Sequence, residues 1–253
     1  MKVTWFQNGE DRTGLARLVD WDNQDNDWVA VRQFEVSGKS ARRPDIIIFL
    51  NGLAIVVIEL KGTETGTLKG AFNQIETYKN QIPDLFRTNA FSLISDGVTA
   101  RYGSISADLD RSMRWRTVDG ETIDEDKSTL ALQTTIRGLL SPASILGMIR
   151  WFTVFEDEGK GPIKKIAGYH QFHAVRKGIE AVLNARGKDG RGGVMWHTQG
   201  SGKSLLMAFL GGALMRHKDL GNPKPPVPQQ GSYTRPVVGS SISTKVPTTD
   251  RGV

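Results

Sequence analysis

Apolar positions along the chain change texture twice. From residue 28 to about 102, short β-branched or aromatic runs alternate with turn residues. Trp28 to Val36 reads as a strand. Residues 44–50 (PDIIIFL) and 53–60 (LAIVVIEL) are two apolar runs joined by Asn51-Gly52, a strong short-range hairpin signal. Leu68, Ala71, Phe72, Ile75, Tyr78 and Ile82 then recur at helical spacing. They predict an amphipathic helix over 67–82, stopped by Pro83. Residues 90–95 and 99–102 read as two more strands. Strands, a helix and strands again predict an α/β unit with a mixed sheet. Ser141-Pro142 combines an N-cap with proline at the first helical position, and predicts a helix to about Phe155. Further on, apolar residues at 172, 175, 179, 182 and 183 predict a helix over 171–186. A short strand over 192–196 and a helix over 202–217 complete the pattern. After Leu220 the periodicity stops.

Composition sharpens these divisions. The 253 residues contain no cysteine, which excludes a disulfide framework, a thiolate metal site and a cysteine nucleophile. The first residues, MKVTWFQNGEDRTG, lack the apolar core of a signal peptide, and no run is long enough to span a membrane. A net charge of +6 invites a uniformly basic, nucleic-acid-binding body. Its distribution argues otherwise. Residues 1–159 hold 18 Lys and Arg against 23 Asp and Glu, whereas residues 160–220 hold 11 against 3. Residues 221–253 hold six of the ten prolines and read as a disordered or non-native tail.

Three charged residues interrupt the apolar hairpin. Asp45 heads one run, and Glu59 and Lys61 close the other. Positions two apart share a face of a strand. A carboxylate beside an ammonium in a sheet core is costly unless compensated, and a divalent cation is one compensation. Asp45 and Glu59 offer hard oxygen ligands suited to Mg²⁺, and Lys61 would stand beside the attacking water of a phosphodiester hydrolysis. The competing reading is three strand-end charges in solvent.

The stretch RRPDIIIFLNGLAIVVIELK (42–61) resembles the PD-(D/E)xK nuclease superfamily, with Pro44-Asp45 and Glu59-x-Lys61 matching its signature. More narrowly, it resembles the N-terminal nuclease domain of the type I restriction enzyme R subunit. Gln74 and Tyr78 match the Gln-x-x-x-Tyr motif that follows the active site in that family and in RecB-like nucleases. Being four apart, they share a helical face. The resemblance implies that they support the site or the DNA; filling of core and surface is the plainer alternative. NAFSLISDGVTARYGSISA (89–107) also resembles the family, without an assignable chemistry.

The second constellation is WHTQGSGKSLLMAF (196–209). Gly200, Ser201, Gly202, Lys203 and Ser204 lie between a predicted strand and a predicted helix. There, backbone N–H groups and a helix N-terminus would cradle phosphates. Lys203 would reach the β/γ-phosphates and Ser204 would ligate Mg²⁺. The strict G-x-x-x-x-G-K-[ST] pattern fails at His197; the looser G-x-G-K-[ST] of superfamily 2 helicases is met, and HTQGSGKS resembles the R subunit's form. Gln171, in Tyr169-His170-Gln171-Phe172, resembles the helicase Q-motif, where glutamine contacts adenine; a plain helix-start residue is the alternative. The spacing of His170, His173 and His197 matches no closed metal site.

These readings predict an α/β protein: a mixed-sheet, restriction-endonuclease-like nuclease domain over 1–140, a helical linker over 141–159, and the start of a RecA-like motor over 160–220. The tail follows from 221. The resemblance implies a Mg²⁺-dependent endonuclease acting on double-stranded DNA in the cytoplasm. It implies modification and specificity subunits as partners, an ATP-binding motor, and no membrane. No second motor lobe or acidic helicase motif follows Leu220, so the expectation is a truncated R subunit with negligible ATP hydrolysis of its own. The alternatives are a non-catalytic module that binds DNA or restriction subunits, and a P-loop nucleotide-binding protein.

Overall fold

The computed structural model describes residues 2–15, 17–64, 66–122, 131–157, 159, 161–188 and 190–220. The predicted tail over 221–253 lies outside them. The chain opens with an antiparallel hairpin of β1 (Lys2–Gln7) and β2 (Glu10–Leu15), which the apolar pattern did not reveal. A five-stranded sheet follows, built from β3 (Trp28–Arg32), β4 (Ile46–Leu50), β5 (Leu53–Leu60), β6 (Phe91–Ser95) and β7 (Ala100–Gly103) in that spatial order. Only β5 and β6 are parallel. The sheet is thus mixed, as predicted.

The centre of this sheet follows directly from the sequence. Asn51 and Gly52 both have positive φ (50° and 79°), which matches the right-handed twist of the strands they join. A parallel neighbour requires a crossover. The crossover is α1 (Leu68–Gln81), capped by Thr67, whose Oγ1 accepts the Gly70 N–H, and followed by a 3₁₀ turn over Pro83–Phe86. Beneath α1, Ile47, Val57, Ala71, Ile75, Tyr78, Ile82 and Ile94 form one apolar cluster. Ile47 and Val57 are fully buried there, each worth roughly 1.5–3 kcal/mol.

The opposite face carries α2 (Ala131–Leu139), α3 (Pro142–Arg150), the hairpin β8 (Thr153–Asp157) with β9 (Pro162–Ile166), α4 (Tyr169–Ala185) and α5 (Lys203–Met215). An aromatic series joins the sheet to these helices. Phe91, Tyr102, Trp115, Phe172, Phe152 and Phe209 succeed one another at ring-centroid distances of 4.5–6.1 Å. Tyr102 Oη donates to the Ala167 carbonyl at 2.9 Å, so the buried hydroxyl is satisfied. The apolar cluster on this face is continuous from Leu50 to Ala213.

Three expected elements differ. The strand expected over 28–36 ends at Arg32, because Gln33 turns into the left-handed region with φ 51°. The helix expected to reach Phe155 ends at Arg150; Thr153 Oγ1 donates to the Met148 carbonyl, and the β-prone Thr153-Val154-Phe155 pairs with β9. No strand forms over 192–196, since no neighbouring strand offers a ladder there among the described residues.

Candidate functional site

The register of the hairpin decides where the charged residues meet. Ile46 pairs with Ile58, so Asp45 and Glu59 fall side by side just beyond the last pair. Asp45 Oδ2 accepts the Leu60 N–H at 2.8 Å. Its carboxylate therefore serves as the hydrogen-bond partner that a strand would otherwise supply at this edge. Glu59 lies on the face of β5 that Val57 turns towards α1, and it is only 2% exposed. That burial rules out the solvent strand-end reading for Glu59.

Glu59 is held from two sides. Lys61 Nζ donates to its Oε1 at 2.6 Å, and Tyr78 Oη donates to its Oε2 at 3.0 Å. Burial raises the Glu59 pKa above the usual carboxylate range, and the Asp45 charge adds to this; Lys61 and Tyr78 pull the other way. The two carboxylates are thus close enough to repel. Tyr78 is also raised, by burial first and then by Glu59, while a hydrogen bond from the Gln74 side chain opposes the shift. All five residues singled out in 42–78 therefore converge. Asp45, Glu59 and Lys61 form the centre, Tyr78 contacts Glu59, and Gln74 contacts Tyr78.

The donor set suits a hard divalent cation. Two adjacent carboxylates, one of them buried and destabilised as an anion, gain by holding positive charge. Among the described residues no group of three or more His, Asp or Glu side chains could hold a metal. Two carboxylates are nonetheless a common protein share for Mg²⁺, which keeps waters and takes substrate phosphate oxygens for the rest.

One member escaped the sequence reading. Gln33 Nε2 donates to Asp45 Oδ1 at 2.7 Å, and the Gln33 N–H donates to the Asp45 carbonyl at 3.0 Å. A lone glutamine after a strand carries no local signal. Only the pairing of Arg32 with Ile46 brings it opposite Asp45.

The glycine-rich loop forms a separate constellation. Gly202 precedes α5 with φ 74°, and Lys203 is the first helical residue. Gln171 Nε2 donates to the Gly202 carbonyl at 3.1 Å, and its Oε1 accepts the Gly168 N–H at 2.9 Å. The positive φ at 202 favours glycine, and a Cβ there would stand 2.7 Å from Gln171 Nε2, so the glutamine tip would have to shift. Gln171 is buried; its Oε1 caps the start of α4, as a helix-start glutamine does, and its Nε2 braces the loop as well. Lys203 Nζ is tied to the His197 and Thr198 carbonyls at 3.3 and 2.9 Å. The Lys203 side chain thus folds back from the first turn of α5 onto the loop that precedes it. The His170 and His197 rings lie tilted at 5.2 Å, whereas His173 packs instead against Trp115 at 5.5 Å.

The geometry defines an α/β protein with a buried carboxylate–lysine centre at one end of the central sheet strands and a glycine-rich turn at the start of α5. Residues 1–111 match the family described as type I restriction enzyme R protein N terminus, and residues 170–225 match the SWI2/SNF2 ATPase family. Through residues 1–111 the chain belongs to the type I restriction enzyme R-protein family. It is 44% identical over 236 residues to the type I restriction enzyme HindI endonuclease subunit of Haemophilus influenzae, covering 88% of this chain and 22% of that protein. It is 30% identical over 249 residues to the putative type I restriction enzyme MjaIXP endonuclease subunit of Methanocaldococcus jannaschii, covering 88% of this chain and 23% of that one. The chain thus spans about a fifth of the length of these relatives. No helix among the described residues is long and apolar enough to cross a membrane.

Proposed function

We propose that this chain carries the nuclease centre of a type I restriction R protein, of PD-(D/E)xK type, and hydrolyses DNA phosphodiesters with Mg²⁺. The observation that carries the reading is Glu59, buried on β5 and bonded to Lys61 and Tyr78, beside Asp45. Asp45 and Glu59 would hold the cation. Bound there, Mg²⁺ supplies Lewis-acid stabilisation of phosphate charge and lowers the pKa of a coordinated water. Lys61 has three N–H donors and spends one on Glu59, leaving two to orient the attacking water and a phosphate oxygen. Tyr78 fixes the second Glu59 oxygen, and Gln74 steadies the Tyr78 hydroxyl.

Gln171, Gly200, Ser201, Gly202, Lys203 and Ser204 would form the ATP-binding start of a RecA-like motor. The bracing of Gly202 by Gln171 and the position of Lys203 at the start of α5 support that assignment. The partners are double-stranded DNA and the modification and specificity subunits of a type I complex. The deciding experiment is Mg²⁺-dependent DNA cleavage by the complex assembled with those subunits. Cleavage is expected with the native chain and lost with Glu59→Ala or Lys61→Ala. If both variants still cut, the assignment is wrong.

A further inference from the structure

Four non-glycine residues among those described have positive φ: Asn8, Asn23, Gln33 and Asn51. Asparagine tolerates the left-handed region because its short amide bonds to local backbone. Glutamine has no such excuse, and its backbone there is strained. Gln33 adopts this conformation at the point where β3 would otherwise continue along β4. The outcome is a two-point grip on one residue: the Gln33 N–H bonds the Asp45 carbonyl, and the side-chain amide bonds Asp45 Oδ1. With Oδ2 on the Leu60 N–H, both carboxylate oxygens are fixed. Each oxygen has two lone-pair sites, so each keeps one free. Gln33 is itself exposed, so burial of apolar surface does not account for its placement.

We propose that Gln33 is a positioning residue: it orients the Asp45 carboxylate so that its free lone pairs face the cation shared with Glu59. The proposal rests on the metal-site reading given above and adds a member to it. Outer partners of this kind typically change metal affinity by about 10- to 100-fold.

The test is Mn²⁺ binding to the full chain, followed by electron paramagnetic resonance, with the melting temperature of each variant measured in parallel. Gln33→Asn is the informative variant. It keeps the left-handed preference, but its amide is one methylene too short to reach Asp45. The expected result is affinity weakened about tenfold at an unchanged melting temperature, with Gln33→Ala weakened at least as much. Asp45→Ala should abolish binding at this site. Should Gln33→Asn and Gln33→Ala bind like the native chain while Asp45→Ala does not, the positioning role is overturned and the metal site stands. Should Asp45→Ala also bind like the native chain, both are overturned. Where Gln33→Ala fails to fold, Gln33→Asn alone decides.

Discussion

The carboxylate centre and the glycine-rich loop are supported in opposite ways. Asp45 and Glu59 sit at the end of a hairpin whose strands pair with neighbours on both sides, beneath a capped helix. Their side chains are tied by Gln33, Leu60, Lys61 and Tyr78. The loop, by contrast, is preceded by residues 191–198, which form no strand and leave Trp196 70% exposed. Its own lysine bonds loop carbonyls, and Met207 on the following helix is 70% exposed. The first site is made rigid by long-range pairing. The second is made of local turns braced mainly by one buried glutamine. The contrast teaches that a motif can be complete in residues and still differ in how much of the fold stands behind it.

The largest effect that tests this contrast is on the packing joining the two regions. Phe172→Ala removes a fully enclosed ring between Trp115 and Phe152 and should cost about 3–5 kcal/mol. Urea unfolding measures it, and a loss below about 1 kcal/mol would mean that the helices pack independently of the sheet. Next comes Glu59→Ala, expected to lower DNA cleavage by the assembled complex about 100- to 1,000-fold, the range for losing one preorganised charge-stabilising group. Lys203→Ala should weaken binding of a fluorescent ATP analogue about tenfold, while leaving Mn²⁺ binding at Asp45 unchanged. Coupled losses at both sites would erase the distinction.

A smaller effect concerns acid. Burial pushes the His173 imidazole down to about 4, so the folded chain favours the neutral ring. Its contribution to stability is therefore full above about pH 6.5 and falls as the pH drops towards 4. In melting curves over that window, His173→Phe should flatten the acid slope; an unchanged slope would reassign the sensitivity to other groups. The smallest effect is Met207→Ala, expected within about 0.5 kcal/mol of the native stability, because its side chain is exposed.

Legibility in the sequence tracked the range of the determining contacts. The hairpin of β4 and β5 was readable because Asn51-Gly52 fixes its turn locally, and α1 because its stripe and Pro83 are local too. Residue 53 to residue 60 came out as expected, since a strand buried on both faces needs a continuous apolar run. β1 and β2 were missed because their exposed residues, Glu10 to Thr13 among them, show no apolar face. The region 192–196 has strand-like residues but no partner, and propensity alone does not make a ladder. At the site, Asp45, Glu59 and Lys61 stood out as charges breaking apolar runs. Gln33 could not stand out, because its role exists only once β3 is laid beside β4.

The aromatic series runs from β6 and β7 through Trp115 to α4 and α5 without an intervening polar layer. Melting of either end exposes rings belonging to the other, so the sheet and the loop-bearing helix should lose structure together in a single cooperative step. Trp115, at 2% exposure in the middle of the series, reaches water only when the whole ladder comes apart.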